Sequence, residues 1–214
     1  MEIVHVINSL DTGGAETVLL RLLTAGDRSE FRSHVVSLTD LGPIAGDLND
    51  LGVTTISLGL GRTGPFPNPF RALRLANIIR ATGADVVQTW MYHADLIGGI
   101  IAKIAKINCI VWNVRTSFLT GDSVKFSTKL VIKICSLLSK IVPDKIITCS
   151  NNAALFHKSI GYKNNLITID NGYDVHKLYP LKSIRSSARK ELSIFNNVFL
   201  SEEGWKATIV TLKT

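Results

Sequence analysis

The string Asn8-Ser9-Leu10-Asp11-Thr12-Gly13-Gly14-Ala15-Glu16 closes a short Val/Ile-rich run and opens a helix-length one. Gly13 and Gly14 let the backbone come close to a ligand, and the free N–H groups of a starting helix suit a phosphate. A tight strand-to-helix turn asks for the same residues. With only two adjacent glycines the string is not GxGxxG, so Asp40, which could imitate a ribose-binding acid, gives little support to a dinucleotide site. A second string, Gln88-Thr89-Trp90-Met91-Tyr92-His93, follows another apolar run. Trp90 and Tyr92 suit contacts to sugars or lipid headgroups. His93 titrates near neutrality and could act as a general base, or could simply pack beside Tyr92 at a helix start. In Trp112-Asn113-Val114-Arg115-Thr116-Ser117 the ever-charged Arg115 cannot be a base, but it can grip a phosphate through two parallel hydrogen bonds or sit as a plain surface cation. Ser150 reads as a helix cap before Asn151-Asn152, and Asn171-Gly172-Tyr173-Asp174 reads as a turn.

These residues need a scaffold that brings them to one edge. Strand patterns fall at Ile3–Asn8, His34–Thr39, Thr54–Leu58, Asp85–Thr89, Cys109–Val114, Lys145–Cys149 and Leu166–Asp170. Helical patterns fall at Ala15–Ala25, Ile44–Leu51, Pro69–Ala81, Ala94–Lys106, Val124–Ile141 and Asn152–Ile160. Such alternation predicts an α/β fold: a doubly wound, mostly parallel Rossmann-like sheet whose ligands lie beyond the carboxyl ends of the strands. Gly59–Pro69 reads as irregular. The pattern divides the chain into a domain over 1–175 and a tail over 176–214. In the tail, Lys177–Ser187 reads as a linker, Ser187–Leu192 as the opening of a short helix, and the stretch from Phe195 as unpatterned.

Composition narrows the partners. Of 214 residues, 24 are Lys or Arg and 17 are Asp or Glu, a net charge of +7. With 46% apolar residues, the chain can build a core. The basic balance favours an anionic partner. Cys109, Cys135 and Cys149 form no CxxC pair, which supports neither a disulfide framework nor a zinc site. The opening Met1-Glu2-Ile3-Val4-His5 has no basic leader, and the apolar stretch Ala94 to Val114 is interrupted by Asp95, Lys103 and Lys106. No interleaving of aromatic and basic residues points to nucleic acid. The helix around Lys125–Ile141 carries Lys125, Lys129, Lys133 and Lys140 beside an apolar side, which suits either an anionic lipid surface or a sheet-covering helix with solvated lysines.

Taken together, Val4–Leu23, Asp85–Ile101, Val111–Ser117, Lys145–Ser150 and Gly161–Pro180 resemble the N-terminal half of a family 4 glycosyltransferase of the two-domain GT-B fold. The resemblance covers residues 1–192. It implies retaining transfer of a sugar from a nucleotide-sugar donor, with no cofactor and no metal. It also implies a glycan acceptor, free or lipid-linked, in bacterial surface polysaccharide or glycolipid assembly. It implies donor-diphosphate contacts at Gly13 and Gly14, and an acceptor rim or cleft at Trp90, Tyr92, Ser150, Asn171, Gly172 and Asp174. Arg115 and His93 are the catalytic candidates. Glu16 matches the motif too and reads first as an acid favoured at a helix start. Arg115 stands where many members carry a functional His, exchanging an acid/base group for an electrostatic one. The family's paired glutamates, eight positions apart, are missing among Glu2, Glu16, Glu30, Glu191, Glu202 and Glu203. The C-terminal donor domain is therefore expected to be absent and the lone chain to turn over little. The expected location is the cytoplasm, with peripheral contact at the inner face of the cytoplasmic membrane. The alternative is a non-catalytic module that binds membrane or a partner subunit.

Overall fold

Seven strands line up in parallel in the order β3-β2-β1-β4-β5-β6-β7. In chain order the elements are β1 (Glu2–Ile7), α1 (Gly14–Ala25), β2 (Arg32–Ser37), α2 (Ile44–Asp50), β3 (Thr54–Ser57), α3 (Pro69–Ala81), β4 (Val86–Trp90), α4 (Tyr92–Ile104), β5 (Cys109–Val114), α5 (Phe126–Leu138), β6 (Lys145–Thr148), α6 (Asn151–Ser159) and β7 (Leu166–Thr168). The computed structural model describes residues 1–60, 69–116, 125–163, 166–173, 182–191, 193, 198–203 and 206–211. Most of the Gly59–Pro69 segment lies outside them.

Side-chain alternation along the central strand sorts the core into two layers. Val4 and Val6 of β1 join Leu75 and Ile79 of α3, Leu96 of α4 and Val131 of α5 on one face. Ile7 points the other way and packs with Leu19 and Leu23 of α1 and Leu48 of α2. Both faces of the central strands are thus covered, which is why these strands read as nearly continuous apolar runs. The sheet is doubly wound and entirely parallel. The α4 helix lies close against it because Gly98 and Gly99 carry no side chain. A Cβ on Gly99 would stand 2.5 Å from Trp112 Nε1, and one on Gly98 would stand 3.0 Å from Val6 and Thr89 side chains.

Contacts divide the chain into Met1–Gly172 and Tyr173–Thr214. The second unit departs from the sequence expectation. Its helix α7 runs over Lys182–Glu191, beginning inside the stretch read as a linker. Only Ile184 and Ala188 are apolar in it, too few to show as a stripe in the sequence, while terminal Arg189 and Lys190 suit the helix dipole. Beyond it, β8 (Val198–Glu203) and β9 (Lys206–Thr211) pair antiparallel, with Glu203 opposite Lys206, where no pattern was expected. An isolated pair of strands carries too few alternating positions to stand out in sequence.

Candidate functional site

Because the strands run parallel, the residues following each one gather at a single edge of the first unit. At the end of β1, buried Leu10 anchors the turn. Gly13 is the N-cap of α1 in extended backbone (φ −155°, ψ 171°) and offers no side-chain cap. Gly14 is exposed, with open space where a Cβ would be. The Glu16 carboxylate folds back over Gly13, accepting hydrogen bonds from its own backbone N–H and from Ser9. Burial nevertheless raises its pKa, with Asp11 adding to the effect. The glutamate thus shares the helix start with any anion that approaches it. Gly42, in the loop after β2, passes so close to Leu10 and Asp11 that no side chain fits there. Its role in shaping this turn comes from a distant segment and leaves no local signal.

The turn from β4 to α4 places the two aromatic candidates differently from the expectation of open rim contacts. Trp90 is 1% exposed and Tyr92 is 4% exposed, on opposite faces of the sheet. Trp90 Nε1 donates to His5 Nδ1 at 3.3 Å. The Tyr92 hydroxyl donates to Nε2 of buried His157 at 3.0 Å, because His157 Nδ1 must give its proton to the Ala153 carbonyl 2.7 Å away. Thr116 also bonds Tyr92. Both rings therefore support the edge from within. Between these two anchors, Met91 reverses the chain at φ 71°, ψ 161°, a conformation normally left to glycine. The left-handed residue ends the strand abruptly, and α4 begins at Tyr92 rather than at Ala94 as its sequence suggests. Asp95, read in the sequence only as an interruption of an apolar run, is fully buried in the first turn of α4. Its carboxyl accepts from Thr89 Oγ1 at 2.5 Å and from the Asn113 backbone, pinning α4 to β4 and β5. Burial lifts its pKa well above the usual carboxylate value.

His93 is half-buried, and burial lowers its pKa, which favours the neutral ring that can accept a proton. Arg115 brings several candidates together. Its guanidinium donates to Asn113 Oδ1 at 3.0 Å and to Asn171 Oδ1, and its Cζ lies 5.7 Å from the centre of the Trp90 ring. Ends of β4, β5 and the segment after β7 are thereby tied around one fixed cation. Ser150 caps α6, its Oγ accepting from Ala153 N at 3.1 Å. Gly172 is exposed, and Asp174 lies outside the described residues. Among the described residues no group of three His, Cys, Asp or Glu side chains could hold a metal, and no helix is long and apolar enough to cross a membrane. A cavity of about 390 Å³ lies elsewhere, among Ile3, Leu22, Phe31 and Val53, with none of the edge residues in its lining.

Residues 12–177 match the sequence profile of Glycosyltransferase Family 4. The chain belongs to this family. No curated protein matches it significantly. Solved structures share its fold. The chain is similar to Anabaena Alr3699/HepE, solved with UDP and glucose, at 18% identity and a TM-score of 0.68 over 90% of this chain and 50% of that one. It is similar to S. aureus MnaA, solved with UDP, at 14% identity and TM-score 0.59 over 87% and 51% of the two chains. Sucrose-phosphate synthase from Thermosynechococcus elongatus gives 12% identity and TM-score 0.56 over 91% and 53%. The family 4 chain thus spans about half the length of these structures, and its fold is one half of the GT-B architecture.

Proposed function

We propose that this family 4 domain is the acceptor-side lobe of a retaining glycosyltransferase that moves a sugar from a nucleotide-sugar donor to a glycan acceptor, free or lipid-linked. The reaction breaks the bond between the anomeric carbon and a diphosphate oxygen. It forms one to an acceptor oxygen, whose proton is lost. Charge therefore builds on the departing diphosphate, and the protein's task is to stabilise that charge and align the acceptor. The observation that carries the reading is a helix start at Gly13–Gly14 with no N-cap side chain, exposed at Gly14 and overlain by the Glu16 carboxylate at Gly13, on the same edge as a fixed guanidinium, Arg115. Amides at the first would meet the diphosphate. Arg115 supplies positive charge without proton exchange, and neutral His93 is the group able to take the acceptor proton. A family 4 profile over most of the chain favours glycosyl transfer, and UDP in the Anabaena and S. aureus structures suits a nucleotide donor.

Titration of the purified chain with UDP, followed by NMR, tests this. Gly14→Asp leaves folding intact, since the position is open and an acid suits a helix start, yet it sets a negative charge in the path of the diphosphate. The expected result is weak binding by the native chain, with shifts at Gly13–Glu16, and a loss of about tenfold or more in the variant. Equal binding by both proteins would defeat the proposal.

A further inference from the structure

We infer that the outer face of α5 docks on an anionic phospholipid bilayer. The inference is independent of the donor chemistry proposed above. The α5 helix has two apolar sides, and the sheet accounts for one. Val131, Ile132 and Cys135 are buried against the core. Phe126, Leu130, Leu137 and the following Ile141 are instead 82%, 40%, 65% and 65% exposed. Helical spacing places Phe126, Leu130 and Leu137 in a stripe only about 40° wide, pointing away from the buried side, with Ile141 exposed in the turn that follows. Lys125, Lys129 and Lys133 are exposed along one border of that stripe. No Asp or Glu occurs between 125 and 141.

The neighbouring helices extend the same chemistry. The α4 helix packs against both α3 and α5. Leu73 of α3 and Ile104 of α4 are 60% and 61% exposed. The only carboxylate on the two helices, Asp95, is fully buried. This layer thus presents apolar side chains and cations and no exposed acid. Exposed aliphatic and aromatic groups favour insertion at an acyl boundary, and flanking lysines favour anionic headgroups. Solvated lysines on a sheet-covering helix would leave the second apolar stripe unexplained. The face is also well placed, because α5 begins at the edge where β5 ends. A bilayer bound here would lie beside the Arg115 edge.

Vesicle flotation of the full chain tests the inference, using phosphatidylcholine vesicles with and without phosphatidylglycerol, at low and high salt. The expected result is flotation with the phosphatidylglycerol vesicles alone, weakened by salt. Lys129→Glu/Lys133→Glu should reduce partitioning about tenfold or more, as should Leu137→Ser/Ile141→Ser, while Leu22→Ser on the opposite face of the sheet changes nothing. All these positions are exposed, and circular dichroism checks that each variant folds. Failure to float, equal flotation on neutral vesicles, or α5 variants that behave like Leu22→Ser would overturn it. So would a concentration-dependent dimer broken by Leu137→Ser/Ile141→Ser without vesicle binding, which would assign the face to a second copy. Because the UDP titration reads Gly13–Glu16, a failure here leaves that result untouched.

Discussion

Arg115 and His5 show how single side chains hold the edge. Arg115 joins Asn113, Asn171 and the Trp90 ring, so its planar fork matters as well as its charge. Arg115→Lys keeps the charge but cannot reach both amides, and the backbone over Ile169–Gly172 should exchange its amide hydrogens faster, by mass spectrometry, in a chain that still folds. His5 accepts from Trp90 Nε1 and is pushed down to about 4 by burial, from 6.5. A histidine that is neutral when folded and protonated when unfolded contributes stability above pH 6.5. That stability is lost as pH falls from 6.5 towards 4, on the order of 3 kcal/mol in total. Burial lowers His93 and His157 in the same direction, whereas Asp95, raised by burial, stabilises the fold more as pH falls. Melting temperature should drop on acidification across that window. His5→Gln, which can still accept from the indole, should flatten the slope, and an unchanged slope would mean that another group sets it. None of these partners was legible: Arg115 and Asn171 lie 56 residues apart, and His5 and Trp90 lie 85 apart.

At the scale of elements, the β4–α4 turn is the strained point. The strand and helix are both visible in the sequence, the strand through its valines and the helix through its apolar spacing. The reversal between them is not, because methionine gives no sign of a positive φ. Two buried rings on opposite faces, the Met91 N–H bonded to Asn113 O at 3.0 Å and the Asp95 N–H to Met91 O at 2.9 Å, enforce it. Such strain costs on the order of 1–3 kcal/mol, and a glycine returns part of that in chain entropy. Met91→Gly should therefore raise stability by about 1 kcal/mol, and β-branched Met91→Val should lower it by at least as much. Urea midpoints at unchanged slope measure both. A Met91→Gly variant less stable than the native chain would show that the methionine's packing outweighs its strain.

For the whole molecule, the proposed reaction is limited by how much of the architecture one lobe supplies. The chain covers about half of the structures it resembles. Transfer needs donor and acceptor held together away from water. A radiolabelled sugar-transfer assay on the purified chain should give little or no product, and robust turnover would show that this edge is sufficient. The sequence by itself determined the alternation of strands and helices, the parallel Rossmann-like class and the chain positions of the glycine turn and Arg115. These follow from short-range periodicity and local backbone preference, which neighbouring residues encode. Only the tertiary structure decided that Trp90 and Tyr92 face inward, that Glu16 covers Gly13, that Arg115 is locked to Asn171 and that α5 keeps a second apolar stripe in the open. Each depends on which segments the sheet order β3-β2-β1-β4-β5-β6-β7 brings together across long loops, and side-chain partners chosen at that distance leave no trace in local spacing.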